Sequence, residues 1–255
     1  MSARVRMFGV EIDVVRMGDA VARIAGWLDE PSEVCRFVVT PNVDHTVMVQ
    51  TNTALQAVYR DAHLVLADGA PIILASRLLR RPLPERVAGS ELVPHLFAHA
   101  TPARPVRVFL LGAGPGVADR AADRIRQQWP GVDIVGTYCP PLGFEKDPRE
   151  EANILARVAD AQPELLVVGL GAPKQEIWVH KHHRQLAAKV ALCVGATIDF
   201  LAGEKPQAPV WMRRTGLEWI HRVATEPRRL AGRYAKDAWH FPQLVLREWW
   251  SRCEA

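Results

Sequence analysis

Val106-Arg107-Val108-Phe109-Leu110-Leu111-Gly112-Ala113-Gly114-Pro115-Gly116 is an apolar, β-rich run that ends in a glycine loop and leads into a helical pattern, Gly116–Trp129. A strand that hands over to a helix through glycines is the repeating unit of parallel α/β sheets. Working outward, Trp129-Pro130-Gly131 punctuates the step to the next apolar run, Val132–Gly136. Phe37–Thr40, Leu64–Ala67, Leu165–Gly169 and Val190–Gly195 read as further strands. Helical patterns fall between them at His45–Arg60, Ala70–Leu79, Arg149–Ala161 and Lys174–Ala187. The expected fold is α/β, a Rossmann-like parallel sheet flanked by helices. The strand pattern ends near Gly203, and Pro206–Ala255 reads as a helical C-terminal appendage set off by Pro206 and Pro209. The expected domains are thus residues 1–205 and 206–255.

With 255 residues, 49% hydrophobic and 24% charged, the chain has the composition of an ordinary folded protein. Its net charge of +4 is unevenly spread. From Lys205 onward there are ten Lys/Arg against five Asp/Glu, and five of the eight tryptophans: Trp211, Trp219, Trp239, Trp249 and Trp250. The four cysteines form no CxxC pair, and Cys193 sits in an apolar run where a buried free thiol is expected. No apolar run approaches the roughly 18 residues that span a bilayer, and the N-terminus carries charges where a signal peptide needs apolar residues. The expectation is a cytoplasmic protein whose membrane contact is peripheral.

Ligands of open parallel sheets bind beyond the carboxyl ends of the strands, so the residues following each strand are informative. They are Pro41-Asn42-Val43-Asp44, Asp68-Gly69, Gly112–Gly116, Gly169–Glu176 and Gly195-Ala196-Thr197-Ile198-Asp199. Five strand ends thereby bring glycines and polar groups to one rim. Gly112, Gly114 and Gly116 could hold a diphosphate on backbone N–H groups and a helix N-terminus. Val117 occupies the position of the third glycine in a dinucleotide fingerprint, and a plain strand-to-helix turn fits as well. Gly169 and Gly171 precede Lys174 and Gln175, which add a cation and an amide at a helix start; helix capping is the simpler reading of Gln175 and Glu176.

Asp68, directly after a strand, stands where a general base is commonly mounted, although an Asp-Gly step is often only a turn. Arg86 could bring charge to a departing diphosphate or form a surface ion pair. No Asp-x-Asp metal motif is present, and His180-Lys181-His182-His183 reads as a solvated helix face, because residues one or two apart do not share a helical face. No metal and no cofactor is expected.

The chain resembles the WecG/TagA/CpsF family of bacterial glycosyltransferases along nearly its whole length. The resemblance rests on Thr40-Pro41-Asn42, Leu66-Ala67-Asp68-Gly69, Pro82–Gly89, Gly112-x-x-Pro115-Gly116-Val117-Ala118, Gly169-x-Gly171-x-Pro173-Lys174-Gln175-Glu176, Asp199-Phe200-x-x-Gly203, Leu217-Glu218-Trp219-Ile220-x-Arg222 and Glu226-Pro227-x-Arg229. It implies an inverting, metal-independent transferase. The donor would be a UDP-sugar carrying N-acetylmannosamine, its uronic acid or glucose. The acceptor would be a polyprenyl-diphosphate-linked glycan of wall polymer, capsule or exopolysaccharide synthesis. By position, Asp68 matches the general base; Thr40, Asn42, Arg86 and Gln175 match polar residues of the active site; Arg222 and Arg229 match tail arginines that reach the diphosphate. Gln207 departs from the pattern, standing where relatives often carry arginine, and Arg233 is the nearest counterpart of a third tail arginine.

The implied partners are the UDP-sugar, the lipid-linked acceptor and the inner face of the cytoplasmic membrane. A homo-oligomer is left open. Nucleic acid is not expected, for no recognised module is present and the charge outside the tail is slightly negative. Two rival readings remain: a nicotinamide-dependent Rossmann oxidoreductase, which leaves the basic, Trp-rich tail unexplained, and a non-catalytic nucleotide- or membrane-binding module.

Overall fold

A computed structural model describes residues 3–215 and 217–253, apart from the side chains at 210, 214, 215, 229, 252 and 253. The chain opens with a hairpin of β1 (Arg4–Met7) and β2 (Val10–Asp13), followed by α1 (Met17–Asp29). Then come β3 (Arg36–Val39), α2 (Val43–Met48), α3 (Thr53–Asp61), β4 (Leu64–Val65), α4 (Ala70–Leu78) and α5 (Gly89–His99). The second half of the sheet is β5 (Val106–Gly112), α6 (Val117–Gln128), β6 (Val132–Tyr138), α7 (Pro148–Ala161), β7 (Leu165–Gly169), α8 (Lys174–His182), β8 (Val190–Cys193) and α9 (Thr197–Ala202). Three helices close the chain: α10 (Val210–Thr215), α11 (Glu218–Thr225) and α12 (Pro227–Cys253).

The six strands expected from the sequence form one sheet in the order β4-β3-β8-β7-β5-β6, and every neighbouring pair is parallel. Alternate residues feed two buried layers. Phe109, Leu111, Leu166 and Val168 join the layer under α3, α4, α7 and α8, while Val108, Leu110, Leu165 and Val167 join the layer under α1, α5 and α6. Because β5 leads outward to β6 and β7 leads inward to β8, the chain parts between β5 and β7 and leaves a crevice at their carboxyl ends.

Two local expectations change. The helix read as His45–Arg60 is two helices, because the Asn52 side chain accepts a hydrogen bond from Leu55 N–H and caps a new start. The helical appendage read over Pro206–Ala255 is likewise divided, into α10, α11 and α12. The β1–β2 hairpin escapes a hydrophobicity reading because charges alternate with its buried Val10 and Ile12. It also finishes the sheet edge: Asp13 Oδ2 accepts from Val65 N–H of edge strand β4 at 2.9 Å and pairs with Arg4 at 3.2 Å.

The expected helical appendage lies on the core. Phe241 meets Phe8 with ring centroids 5.2 Å apart, and Phe241, Leu244 and Val245 pack on the first apolar layer. Glu248 accepts from Phe8 N–H and pairs with Arg81, both at 2.6 Å. Among the described residues no helix is long and apolar enough to cross a membrane.

Gly112 has φ of +111°, and a Cβ there would lie 2.5 Å from the Gly169 carbonyl oxygen. That clash is with backbone, so Gly112→Ala must part β5 from β7. We expect it to lower Tm by about 4 °C or more. Gly26→Ala, inside α1 with no atom near the added methyl, should leave Tm unchanged or raise it, since alanine favours a helix by about 1 kcal/mol. Thermal melts of both variants check the pair.

Candidate active site

A cleft of about 720 Å³ runs over the carboxyl ends of β3, β4, β5, β7 and β8, with α11 and α12 forming its far wall. That volume suits a small-molecule site. Thr40, Asn42, Asp68, Arg86, Gln175 and Arg222 all line it, as do Gly114, Gly169 and Gly171. Three residues expected at the rim serve elsewhere. Gly112 is packed against β7, Gly116 is the left-handed residue that starts α6, and Lys174 lies 3.6 Å from Glu145 and over the Phe144 ring. The side chain of Arg229 lies outside the described residues.

Asp68 owes its position to two backbone anchors. Its N–H donates to Pro41 at 2.9 Å, and Val87 N–H donates to Ala67 at 2.8 Å, so the β4 end is held between two loops. Gly69, at φ of +132°, then turns the chain into α4. Arg86 Nη1 lies 3.6 Å from Asp68 Oδ1 and 3.0 Å from Glu218 Oε2 of α11. Its Nη2 binds Glu91 at 2.9 Å, and Glu91 also holds Arg213 of α10 at 2.7 Å. One guanidinium, only 14% exposed, is thus shared by three carboxylates.

Burial pushes the Asp68 carboxyl up to about 7; Glu218 adds to the rise, while Arg86, Arg222 and His45 oppose it. The side chain keeps 29% exposure, all of it compatible with a group walled in by protein and open on its cleft side. Such a carboxylate can take a proton near neutral pH.

Behind the cleft runs a buried polar chain that the sequence reading did not anticipate. The Asn42 carboxamide oxygen accepts from His45 N–H at 3.2 Å and lies 2.8 Å from His45 Nδ1, which also faces the Asn42 N–H at 3.5 Å. His45 Nε2 faces Glu176 Oε1 at 3.2 Å, and Gln175 Nε2 donates to the same oxygen at 2.6 Å. Glu176, at 1% exposure, is therefore more than a helix cap: it links Asn42 to Gln175 through His45. The signal in the sequence is slight, a histidine three residues after an N-cap asparagine. Thr40 Oγ1 donates to the Cys193 carbonyl at 3.2 Å and ties β3 to β8 at the cleft floor.

The tail is fastened to this site by ions. Lys205 Nζ lies 3.5 Å from Asp199 and 3.4 Å from Glu226, and Arg233 pairs with Asp44. The histidine cluster of α8 is not a solvated face: His182 is buried beside Trp178, and His180 and His183 pack around Phe37. No group of three or more His, Cys, Asp or Glu among the described residues is arranged to hold a metal ion.

The model of the Glyco_tran_WecG family, the glycosyl transferase WecG/TagA/CpsF family, matches residues 5–255. An N-acetylglucosaminyldiphosphoundecaprenol N-acetyl-beta-D-mannosaminyltransferase of Bacillus spizizenii strain W23 is 33% identical over 193 residues, 76% of this chain and 72% of the relative. A protein of the same name from Staphylococcus aureus strain MRSA252 is 30% identical over 231 residues, 90% of this chain and 87% of the relative.

The raised Asp68 carboxyl has a consequence for stability. Its folded value of about 7 lies above its ordinary value of 3.8, so the folded state binds this proton more tightly and stability falls as pH rises between the two. Asp68→Asn removes the effect. Its Tm advantage over the wild type should therefore grow from about pH 4 to pH 7 and level off above, as read from melts across that range.

Proposed function

The chain belongs to the WecG/TagA/CpsF family of glycosyl transferases, and from that footing we propose that it moves a sugar from a UDP-sugar to a polyprenyl-diphosphate-linked glycan, with inversion and without a metal ion. The transferred group is N-acetylmannosamine, its uronic acid or glucose, and the product enters a bacterial wall polymer, capsule or exopolysaccharide. The observation that carries this reading is Asp68, a carboxyl held near neutrality and open to a cleft with arginines on its rim.

In the proposed reaction Asp68 takes the proton of the attacking acceptor hydroxyl while that hydroxyl's oxygen bonds to the donor's anomeric carbon from the face opposite the leaving group. The bond from that carbon to the diphosphate oxygen breaks, and UDP departs with the electron pair. Arg222 and Arg86 face the charge that develops. The glycine-lined end, at Gly114 and Gly169–Gly171, receives the nucleotide, because backbone N–H groups there can approach phosphate closely. Asn42 and Gln175, oriented by His45 and Glu176, offer hydrogen bonds to the sugars. Residues 1–205 act as the catalytic domain, and 206–255 complete the site and dock to the inner face of the cytoplasmic membrane. The docking reading is supported by Trp239, Leu246, Trp249 and Trp250, all exposed on α12, in a segment rich in arginine and lysine.

Incubation with a panel of UDP-sugars and a short-chain polyprenyl-diphosphate glycan, with products identified by mass, tests the activity. Asp68→Asn should lower kcat by a factor of about a hundred or more, and excess chelator should leave the wild-type rate within about twofold. Full activity in Asp68→Asn would return Asp68 to a turn residue and favour the non-catalytic binding module; a rate lost to chelator and restored by magnesium or manganese would refute metal independence.

Replacing Trp239, Trp249 and Trp250 together by alanine should weaken binding to anionic vesicles about tenfold or more, with turnover of a soluble acceptor analogue retained. Undiminished vesicle binding in co-sedimentation would remove the docking role.

A further inference from the structure

The cleft is longer than the strand ends that floor it. At the β3 and β4 end it continues along α12, where Leu230, Tyr234, Asp237, Ala238 and Phe241 form its side wall. The glycine loops lie at the opposite end, over β5 and β7. Asp68 stands on the loop after β4, beside the α12 wall. If the nucleotide occupies the glycine end, the molecule whose hydroxyl attacks through Asp68 must approach along α12.

Asp237 is the unexpected feature of this wall. It is 3% exposed, lines the cleft, and its Oδ2 has no hydrogen-bond partner in the protein. Its neighbours on the wall are mainly apolar: Leu230, Ala238 and Phe241. A buried carboxylate oxygen without a donor is strongly disfavoured unless a ligand or ordered water supplies one. Arg233, Lys236, His45 and His240 oppose the upward shift of its carboxyl but do not outweigh burial. Arg233 is itself committed to Asp44. Asp237 is therefore placed to receive hydrogen bonds from something that enters the cleft.

We propose that α12 is the wall of the acceptor-sugar subsite and that Asp237 accepts hydrogen bonds from the hydroxyl or acetamido N–H groups of that sugar. This rests on the transferase reading above and adds to it the element that selects the acceptor. A carboxylate on an apolar wall suits a sugar. The apolar residues cover the C–H face of the ring, and the carboxylate discriminates sharply against analogues that lack the donor it binds, since its oxygen would then stay buried and unpaired. The diphosphate, by contrast, carries no donor and would be repelled, which sets its place on the arginine side.

The test uses the full-length protein and N-acetylglucosamine diphosphate bearing a short prenyl chain, together with analogues of it lacking one hydroxyl or the acetamido group. For the wild type, at least one analogue should lose tenfold or more in kcat/KM. Asp237→Asn should raise the acceptor KM about tenfold, leave the donor KM within about twofold, and flatten the discrimination among analogues. Asp237→Glu, which keeps the charge, should restore part of the discrimination and serves if the asparagine variant does not fold. Unchanged acceptor KM and an unchanged analogue profile in both variants would overturn the role of Asp237 while leaving the transferase standing. A wild-type enzyme that turns over no lipid-linked sugar with any UDP-sugar would instead bring down the proposed function, and this inference with it.

Discussion

Arg86 is the group on which the cleft depends. A guanidinium cannot shed its proton, so one that is almost fully buried must be matched by carboxylates or it is strongly destabilising. Here the match comes from three directions: Asp68 from the β4 loop, Glu91 from α5 and Glu218 from α11. The ion pairs therefore do two things at once. They place the base candidate beside a fixed positive charge, and they join the appendage to the sheet. Removing Arg86 would take the shared counter-charge from all three carboxylates, whereas removing one acid would still leave two beside the guanidinium.

The state of Asp68 is a balance within the same cluster. With Arg86 alone beside it, a carboxylate would be held ionised far below neutrality. Burial and the second acid, Glu218, outweigh that attraction and lift the carboxyl to about 7. Arg86 is the counter-ion of all three carboxylates, so its effect on each is diluted. The tail thus tunes the Asp68 carboxyl as well as covering it, because Glu218 and Arg222, which act on Asp68 in opposite senses, both belong to α11.

Much of this was legible in the sequence, for physical reasons that can be named. The central strands β7 and β8 are continuous apolar runs because both faces of a parallel sheet are buried, and the fold rule that ligands sit beyond strand ends placed Asp68, Thr40, Asn42 and Gln175 in one cleft. What was hidden depends on partners distant in the chain. Lys174 follows a glycine loop as a phosphate-binding lysine would, yet Glu145 and Phe144 draw it away. Gly112 reads as a ligand glycine, but the near contact of β5 with β7 already requires it. His45 gains meaning only when α8 brings Glu176 to it, across more than a hundred residues. The hairpin was missed because its alternation of charge and apolar residues belongs to an edge whose one buried acid, Asp13, serves a strand elsewhere.

The helix α12 shows how one element can be committed on two sides. At about 100° per residue, Leu230, Tyr234, Asp237, Phe241, Leu244 and Glu248 fall on one face, and these are residues that line the cleft or meet the core. Trp239, Leu246 and Trp250 fall on the opposite face, and all three are exposed. A helix apolar on both sides is unfavourable in water unless the second side also finds a surface. Rotating α12 to bury the tryptophans would withdraw Phe241 from Phe8 and Glu248 from Arg81, so the core contacts fix which face looks outward. The wall of the cleft and the exposed aromatic stripe are for that reason one rigid unit. Any surface that the stripe met would therefore have the cleft at a set height and angle above it, with Asp68 and Asp237 both lining that cleft.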